Sequence, residues 1–227
     1  MPAARGDRFE CPICGGRFRW LIPYGHGPVR RNALCPRCLA LERHRLLWLY
    51  LEERTDFFAA AKRVLHVAPE PCFVERFRAL HGDGYVTVDL RMSRADVLAD
   101  ILRLPFADES FDVAICNHVL EHVDDDIRAL RELHRVLARR GWAILQSPVD
   151  RTRGETYEDA TIDSPHGRAR AFGQWDHVRI YGLDYGARLA QARFDVVEDD
   201  FVSTLPPAAV ARYALPTDER VFVCTKR

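Results

Sequence analysis

The order of apolar and polar positions divides the chain into a short N-terminal part and a longer part of alternating strand-like and helix-like segments. From Lys62 onward, apolar runs of strand length alternate with segments whose apolar residues recur at helical spacing. The strand-like runs are RVLHV, YVTVDL, FDVAICN, WAILQSPV, FDVVEDDF and RVFVCTKR. This alternation favours an α/β fold with a doubly wound sheet. Because no long helix separates the last two runs, they predict an antiparallel edge hairpin at the C-terminus.

Three segments of the chain predict helices. After the strand Val64–Val67, a tight turn leads to a helix that opens near Pro71, which suits the first helical position because no N–H is needed there. The segment DDIRALRELHRVLARR predicts a helix that ends at Gly141. Near the N-terminus, LALERHRLLWLYLEER predicts a connecting helix, to which we assign residues 46–61.

Four of the seven cysteines form two C-x-x-C pairs, CPIC and CPRC, with 20 residues between the pairs. Each pair suits a tight turn around a metal ion, and two such turns complete a closed tetrathiolate site. The predicted zinc ligands are Cys11, Cys14, Cys35 and Cys38. Closed coordination leaves no position for water, so the zinc is expected to be structural. Disulfides or a redox dithiol are the alternative, which the paired spacing and a reducing compartment disfavour.

Residues 1–45 are predicted to form a small zinc ribbon around this site. The glycines of CPICGG follow the second thiolate, where a metal-binding turn often needs a positive φ. RFRWLI alternates in strand fashion, and PYGHGP predicts a turn. Interleaved arginine and aromatic residues either bind single-stranded nucleic acid or pack a ribbon that has little core of its own, and both interpretations stay open.

The composition is ordinary, but charge is distributed unevenly along the chain. A content of 48% hydrophobic and 29% charged residues is that of a soluble globular protein. The chain has no apolar core of signal-peptide length and no run near the roughly 18 apolar residues of a membrane helix, so we expect a cytoplasmic protein without a membrane partner. The formal net charge is zero, but residues 1–45 carry +6 and the remainder −6. The basic head is either a docking surface for an anionic partner or a solvated arginine-rich surface.

The segment LPFADESFDVAICNHVLEHVDDDIRALRELHRVLARRGWAILQ closely resembles class I S-adenosylmethionine-dependent methyltransferases of the small-molecule type. That family shows L-P-F-x-D-x-S-F-D, a hydrophobic strand, H-V-L-E-H and a helix end with paired glycines, for which Gly141-Trp142 stands here. The resemblance implies a Rossmann-like sheet and S-adenosyl-L-methionine as cofactor. It implies that Asp89 holds the ribose hydroxyls. The other implied cofactor contacts are Asp100 and Ile101 at the adenine, and Asn117 and His118 at the methionine end.

The loop HVAPEP departs from the family, which has an acidic residue and then glycines at alternate positions. His66 occupies the acidic position, while Ala68, Glu70 and Cys72 occupy the glycine positions. Glycines let a backbone approach a pyrophosphate, and S-adenosylmethionine has none. Ala68 is nearly as slim as glycine provided that its φ is negative, and we expect Glu70 to supply a carboxylate for the ammonium or sulfonium. His66, Ala68 and Glu70 are therefore candidate cofactor contacts, although the role of His66 is unexplained.

Residues 147–182 are irregular, polar and aromatic, and they follow the carboxyl end of the fifth strand, where we expect the acceptor. Methyl transfer is an in-line displacement, so the protein mainly aligns the acceptor and removes a hydroxyl proton. His177 beside Asp176 is the first candidate base because imidazole titrates near neutral pH, with His118 and His122 next. The alternative is a lid strand with a surface histidine. Candidate acceptor contacts are Gln174, Tyr181 and Arg179, the last suited to an acidic acceptor.

Three functions are consistent with these features. The first is a methyltransferase of EC 2.1.1 type acting on a small metabolite, sugar or natural-product intermediate. The second is an RNA methyltransferase that docks through the basic ribbon, although NHVL replaces an N-P-P-Y-like tetrapeptide after the fourth strand and the acidic body repels a polyanion. The third is a non-catalytic zinc-ribbon interaction protein on a degenerate scaffold. The predicted domain limits are 1–45, 46–61 and 62–227.

Overall fold

A computed structural model describes residues 5–25, 29–91 and 95–227. The second half of the predicted PYGHGP turn lies at residues 26–28, outside the described part. The strands are β1 Arg5–Cys11, β2 Gly16–Phe18, β3 Ile22–Tyr24, β4 Arg30–Leu34, β5 Val64–Val67, β6 Tyr85–Asp89, β7 Val97–Leu98, β8 Phe111–Asn117, β9 Leu137–Gln146, β10 Tyr157–Glu158, β11 Arg179–Ile180, β12 Asp195–Asp199 and β13 Val221–Thr225. The helices are α1 Glu42–Arg54, α2 Pro71–His81, α3 Asp126–Val136, α4 Pro165–Phe172, α5 Tyr185–Ala190, α6 Phe201–Thr204 and α7 Pro207–Tyr213. None of the described helices is long and apolar enough to cross a membrane.

The central sheet has seven strands in the order β12-β13-β9-β8-β5-β6-β7. Strands β5 to β9 pair in parallel, and β13 pairs antiparallel with β9. The chain proceeds from β5 outward to β6 and β7, and then returns to the other side of β5 with β8 and β9. This order confirms the predicted doubly wound, Rossmann-like fold with an antiparallel C-terminal strand.

The interior of the sheet follows directly from the apolar runs. All four residues of β5 are buried, and in β8 only Asp112 is partly exposed. A parallel sheet covered on both faces needs such continuous apolar strands. Helix α3 contributes a buried stripe at helical spacing, formed by Ala129, Leu130, Leu133 and Val136.

The predicted end of the helix at Gly141 is wrong. Helix α3 ends at Val136, and Gly141 lies inside β9. A Cβ atom at Gly141 would lie 2.8 Å from the carbonyl oxygen of Ala138 and 2.9 Å from that of Asp112, so this glycine permits a close approach of two backbones. The glycine after the helical segment therefore serves a close backbone approach and not a helix end. The predicted hairpin also differs in detail, because α6 and α7 lie between β12 and β13.

The chain divides into two compact units. The first consists of the described residues of 1–61 together with Glu70–Gly82 and Asp199–Val221, and the second of Lys62–Pro69, Asp83–Glu198 and Phe222–Arg227. The first unit holds the two hairpins β1-β2 and β3-β4 and helices α1, α2, α6 and α7. The second holds most of the central sheet. The sequence-based domain limits at residues 45 and 61 stay predictions, while the helix expected at 46–61 is observed at Glu42–Arg54.

Aromatic rings on α1 and α2 form much of the interior of the first unit. Trp48 stacks on Phe73 and Phe77, with centroid distances of 6.4 and 6.2 Å and interplanar angles of 13° and 7°. Phe57 packs edge-on against Phe77 at 4.7 Å. These contacts explain why the apolar stripe of LLWLYL on α1 is buried.

Arg45 on α1 joins three separate segments of the first unit. Its side chain is fully buried, and its guanidinium donates to the carbonyls of Ala33 and Ala40 in the ribbon and of Tyr213 and Ala214 near the C-terminus. Burial lowers the pKa of Arg45, which the negative charge of the cysteine cluster and Glu42 opposes. These bonds place donors on backbone carbonyls of three segments, of which that of Ala40 also accepts the N–H of Cys35.

We expect Arg45→Met to lower the free energy of unfolding by at least about 3 kcal/mol, because several buried carbonyls lose their donor. Urea unfolding of the metal-loaded protein measures the change. The exposed Arg54, on the same helix, gives the matched control Arg54→Met, for which we expect less than about 1 kcal/mol. Equal effects of the two substitutions would contradict the role assigned to Arg45.

Candidate active site and metal centre

The four cysteines of the two C-x-x-C pairs come together in the first unit. The sulfur atoms of Cys11 and Cys38 are 3.6 Å apart and those of Cys14 and Cys35 are 3.7 Å apart. A tetrahedral site with zinc–sulfur bonds of about 2.3 Å has sulfur–sulfur edges of about 3.8 Å. All four thiols are free of disulfide bonds. The cluster predicted from the sequence is therefore present and fits a metal ion.

Each C-x-x-C turn closes through a residue with positive φ. Gly15 has φ +63° and donates its N–H to the carbonyl of Cys11 at 2.8 Å. Leu39 has φ +61° and donates in the same way to Cys35 at 3.0 Å. The expected positive φ after Cys14 is confirmed, and the second turn reaches the same geometry without glycine.

In the second unit, the parallel strands end together at one edge of the sheet. Hydrogen bonds across neighbouring strand ends show the alignment: Ala68 N–H donates to Val88, Ala99 N–H to Asp89, and His118 N–H to Gln146. The strand order reverses between β5 and β8, so residues 68 and 117 flank the crevice at the reversal. In doubly wound sheets this crevice is where ligands bind.

The turn after β5 keeps the backbone geometry of a glycine without having one. Ala68 has φ +47°, so the condition of a negative φ, under which Ala68 replaces a glycine without strain, is not met. The left-handed conformation costs about 1 to 2 kcal/mol for a residue with a Cβ atom. Helix α2 then begins at Pro71 as predicted. In the first unit, Glu70 precedes that helix, and its carboxylate lies 3.8 Å from Nε2 of His44.

The structure separates the other predicted cofactor contacts into edge and interior residues. Asp89 ends β6, is half-buried, and accepts the N–H of Arg91 at 2.9 Å. Asp100 is exposed and accepts the N–H of Leu102, while the neighbouring Ile101 is buried. His66 lies inside β5, fully buried, with Nδ1 2.7 Å from the hydroxyl of Tyr85. His66 thus has a partner in the core that the sequence did not indicate.

After β8, a buried hydrogen-bonded group faces the same edge. His118 has φ +54°, and its Nδ1 lies 3.3 Å from Oε1 of Glu121. Ser147 donates its hydroxyl to Oε2 of Glu121 at 3.0 Å. Glu121 is 1% exposed, and although burial raises its pKa, the hydrogen bond from His118 brings the pKa below its ordinary value. Nε2 of His118 is buried and makes no hydrogen bond with any described residue.

The predicted pairing of His177 with Asp176 is not what the structure shows. Nδ1 of His177 lies 3.2 Å from the carbonyl oxygen of Phe172. The carboxylate of Asp176 instead lies 3.4 Å from Nδ1 of His122 and accepts from the side chain of Gln174 at 2.8 Å. Burial lowers the pKa of His177, which keeps its ring neutral. The rings of His122 and His177 meet edge to face at 4.7 Å.

Residues 55–145 match the profile of a family described as "Methyltransferase domain". Over this segment the chain is similar to methyltransferase domains. The matched segment contains β5 to β8, α3 and most of β9, and with them Ala68, Asp89 and His118. The four-cysteine cluster and the insertion at 147–182 lie outside it.

Comparison with individual proteins adds relatives over short segments. A 2-phytyl-1,4-naphtoquinone methyltransferase of Nostoc punctiforme is 54% identical over 41 residues, 18% of each chain. An uncharacterized protein of Methanocaldococcus jannaschii is 40% identical over 55 residues, 24% of each chain. The chain spans about a quarter of the length of the curated relatives it matches, or less.

Two solved structures show the same fold. The [4+2]-cyclase SpnF gives a TM-score of 0.52 at 18% identity, covering 80% of this chain and 79% of that chain. An S-adenosylmethionine-dependent methyltransferase from Mesorhizobium loti gives a TM-score of 0.51 at 17% identity, covering 74% of this chain and 91% of that chain. At this identity the likeness concerns the fold alone.

A buried ionic network anchors the insertion to helix α3, which lies in the matched segment. Asp126, the first residue of α3, accepts the hydroxyl of Tyr181 at 2.7 Å and two N–H groups of Arg188 at 2.7 and 2.9 Å. Glu158 pairs with Arg188 and with Arg179 at 3.0 and 2.9 Å. Burial raises the pKa of Asp126, but the bonds from Arg188 and Tyr181 bring it below its ordinary value.

Arg179 is buried and holds the turn that carries Glu121 and His122. Its guanidinium donates to the carbonyls of Leu120, Val123 and Asp124. Tyr181 is fully buried on Asp126. The roles of Arg179 and Tyr181 in binding an acceptor stay predictions, and their present contacts are with the protein itself. Sequence reasoning missed Asp126 as the centre of this network, because its partners lie more than 50 residues away along the chain.

We expect Asp126→Asn to lower the free energy of unfolding by about 3 kcal/mol at neutral pH, because buried guanidinium groups lose their counter-charge. The folded-state pKa lies below the unfolded value of about 3.9, so the contribution is present above about pH 4 and is lost as the pH falls further. Denaturant unfolding from pH 7 to 3 measures it. Asp124→Asn, at an exposed neighbouring position, is the control and should change stability by less than about 0.5 kcal/mol. A loss for Asp126→Asn that does not shrink below pH 4 would contradict the ionic origin.

Proposed function

We propose that this protein transfers a methyl group from S-adenosylmethionine to a small-molecule acceptor. The observation that carries the proposal is the alignment of Ala68, Asp89 and Asn117 at neighbouring strand ends beside the reversal of strand order. When bound, S-adenosylmethionine supplies a methyl group on a sulfonium. The residues of the chain bind this donor, orient the acceptor and take up a proton.

The chemistry of the edge suits the donor. A carboxylate accepts several hydrogen bonds, so the bond from Arg91 leaves Asp89 able to accept both ribose hydroxyls. Asn117 at the end of β8 offers an amide to the methionine end, and Ile101 offers an apolar surface to the adenine. Asp100, His66 and Glu70 stay candidate contacts on the strength of their sequence positions.

Two histidines are candidates for the base. His118 has Nδ1 directed at the buried carboxylate of Glu121, so the lone pair on its buried Nε2 is available to take a proton. His177 is kept neutral by burial and has its Nδ1–H on a carbonyl, which likewise leaves Nε2 as an acceptor. The carboxylate of Asp176 lies near these histidines, 3.4 Å from Nδ1 of His122, and it accepts a hydrogen bond from Gln174.

The family and fold do not by themselves establish methyl transfer, because one structure of this fold is a [4+2]-cyclase. The naphtoquinone relative matches over 18% of each chain, so its acceptor is not carried over. Donor binding is therefore the first measurement, and turnover with candidate acceptors the second.

We expect calorimetry to show binding of S-adenosylmethionine, and Asp89→Ala to weaken it by about 10- to 100-fold, the effect of losing hydrogen bonds to a charged group. Asp83→Ala is the matched control, since Asp83 is exposed in the 3-10 turn Gly82–Gly84 that precedes the same strand, and it should bind like wild type. Absence of binding by wild type at millimolar donor would contradict the proposal and favour a non-catalytic scaffold. RNA retention at low salt that falls steeply with added salt would favour an RNA acceptor.

We also propose that the four cysteines hold one structural zinc ion. We expect one zinc per chain with sulfur neighbours at about 2.3 Å by X-ray absorption, and loss of that ion in Cys38→Ser. Cys224→Ala, in β13 and outside the cluster, should keep the metal. Full zinc content in Cys38→Ser would contradict the assignment.

A further inference from the structure

A second group of metal-ligating side chains lies beside the predicted active site. One ligand atom from each of Glu121, His122 and His177 lies within 4.8 Å of the others. Glu121 and His122 belong to the 3-10 turn Leu120–His122, and His177 comes from the insertion. The N–H of Val178 donates to the carbonyl of Glu121 at 2.9 Å, which fixes the two segments side by side.

Both histidines are held in the tautomer that a metal site requires. Nδ1 of His177 faces the carbonyl oxygen of Phe172, which only accepts, so Nδ1 carries the proton and Nε2 carries the lone pair. Nδ1 of His122 faces two oxygens of Asp176, the carbonyl at 3.3 Å and the carboxylate at 3.4 Å, with the same consequence. Metal-binding histidines almost always donate their other ring N–H to such an acceptor.

The carboxylate of Glu121 lacks a cationic partner that is permanently charged. It is 1% exposed, and its side-chain partners are Ser147 and the ring of His118. No arginine or lysine among the described residues forms a salt bridge with it. A buried carboxylate in these surroundings gains from a bound cation, because an uncompensated buried charge is costly.

We propose that Glu121, His122 and His177 bind one divalent first-row transition-metal ion, to which an acceptor oxygen coordinates. Two imidazoles and a carboxylate suit zinc, cobalt, iron or manganese, and three protein ligands leave positions open. A hydroxyl on the ion releases its proton more readily, as water does on bound zinc. His177 is then a ligand, and His118 takes the role of base. The catalytic part of this inference rests on the proposed function, whereas metal binding does not.

The protein is first treated with a chelator until only the cysteine-bound zinc remains. It is then titrated with cobalt(II). We expect one added equivalent, with an absorption spectrum of nitrogen and oxygen ligands and without the intense thiolate-to-metal bands of a cysteine site. His177→Asn and, separately, His122→Asn should each weaken this binding more than 10-fold. Asp176→Ala, which removes the carboxylate acceptor beside Nδ1 of His122, should weaken it by about 10- to 100-fold.

His166→Asn is the matched control, because His166 is exposed at the start of α4 in the same insertion. It should bind cobalt like wild type, and circular dichroism should show all variants folded. Failure of wild type to bind cobalt at millimolar concentration, or unchanged binding in both His122→Asn and His177→Asn, would overturn the proposal. Calorimetry with S-adenosylmethionine on the same samples separates the two questions: cobalt binding without donor binding upholds the metal site and rejects the methyltransferase function.

Discussion

The candidate site depends on the hydrogen bonds and ion pairs that the buried carboxylate of Asp126 accepts. This carboxylate gathers Tyr181 and Arg188 from the insertion and lies 3.8 Å from Arg179. Arg179 in turn satisfies backbone carbonyls of the turn after β8, which otherwise have few partners inside so short a helix. The insertion and the turn are therefore positioned together. This network and the hydrogen bond from the N–H of Val178 to the carbonyl of Glu121 together bring His177 to Glu121 and His122.

Two residues with a Cβ atom adopt the left-handed conformation at the ends of adjacent parallel strands. Ala68 follows β5 and His118 follows β8, with φ values of +47° and +54°. Each costs about 1 kcal/mol or more, and such conformations cluster at functional sites. At Ala68 the chain reproduces a turn for which related proteins use glycine. At His118 the conformation brings the ring to the buried carboxylate of Glu121.

In the first unit the buried charged group is a cation. Arg45 is a fully buried cation surrounded by backbone carbonyls, and its nearest anionic support comes from the cysteine cluster and Glu42. Four thiolates with one divalent ion carry a charge of −2, so the proposed metal centre and the buried guanidinium compensate each other. The basic excess of residues 1–45 thus includes at least one arginine that is a core residue and not part of a docking surface.

The sequence by itself determined the elements whose signals are local. The apolar runs located β5, β6 and β8, the C-x-x-C spacing located the four-cysteine cluster, and the L-P-F and H-V-L-E-H motifs indicated the methyltransferase domain. These succeed because burial of a strand, closure of a metal turn and the order of a βαβ unit each depend on neighbouring residues. The expectation at Gly141 failed because a glycine after a helical segment has two possible physical causes, a helix end and a close backbone approach. Only the position of Asp112 on the neighbouring strand β8 shows that the second cause applies here.

The tertiary structure alone decided how distant side chains meet. It paired Asp176 with His122 instead of His177, turned Arg179 inward to backbone carbonyls, gave His66 a partner in Tyr85, and placed His177 beside Glu121. Except for His66 and Tyr85, which are 19 positions apart on two paired strands, these contacts join residues more than 50 positions apart. Such contacts leave no periodic trace in a single sequence, because their spacing is set by the path of the insertion and not by helix or strand geometry. The sequence supplied the chemical groups of the site, and the fold decided which of them act together.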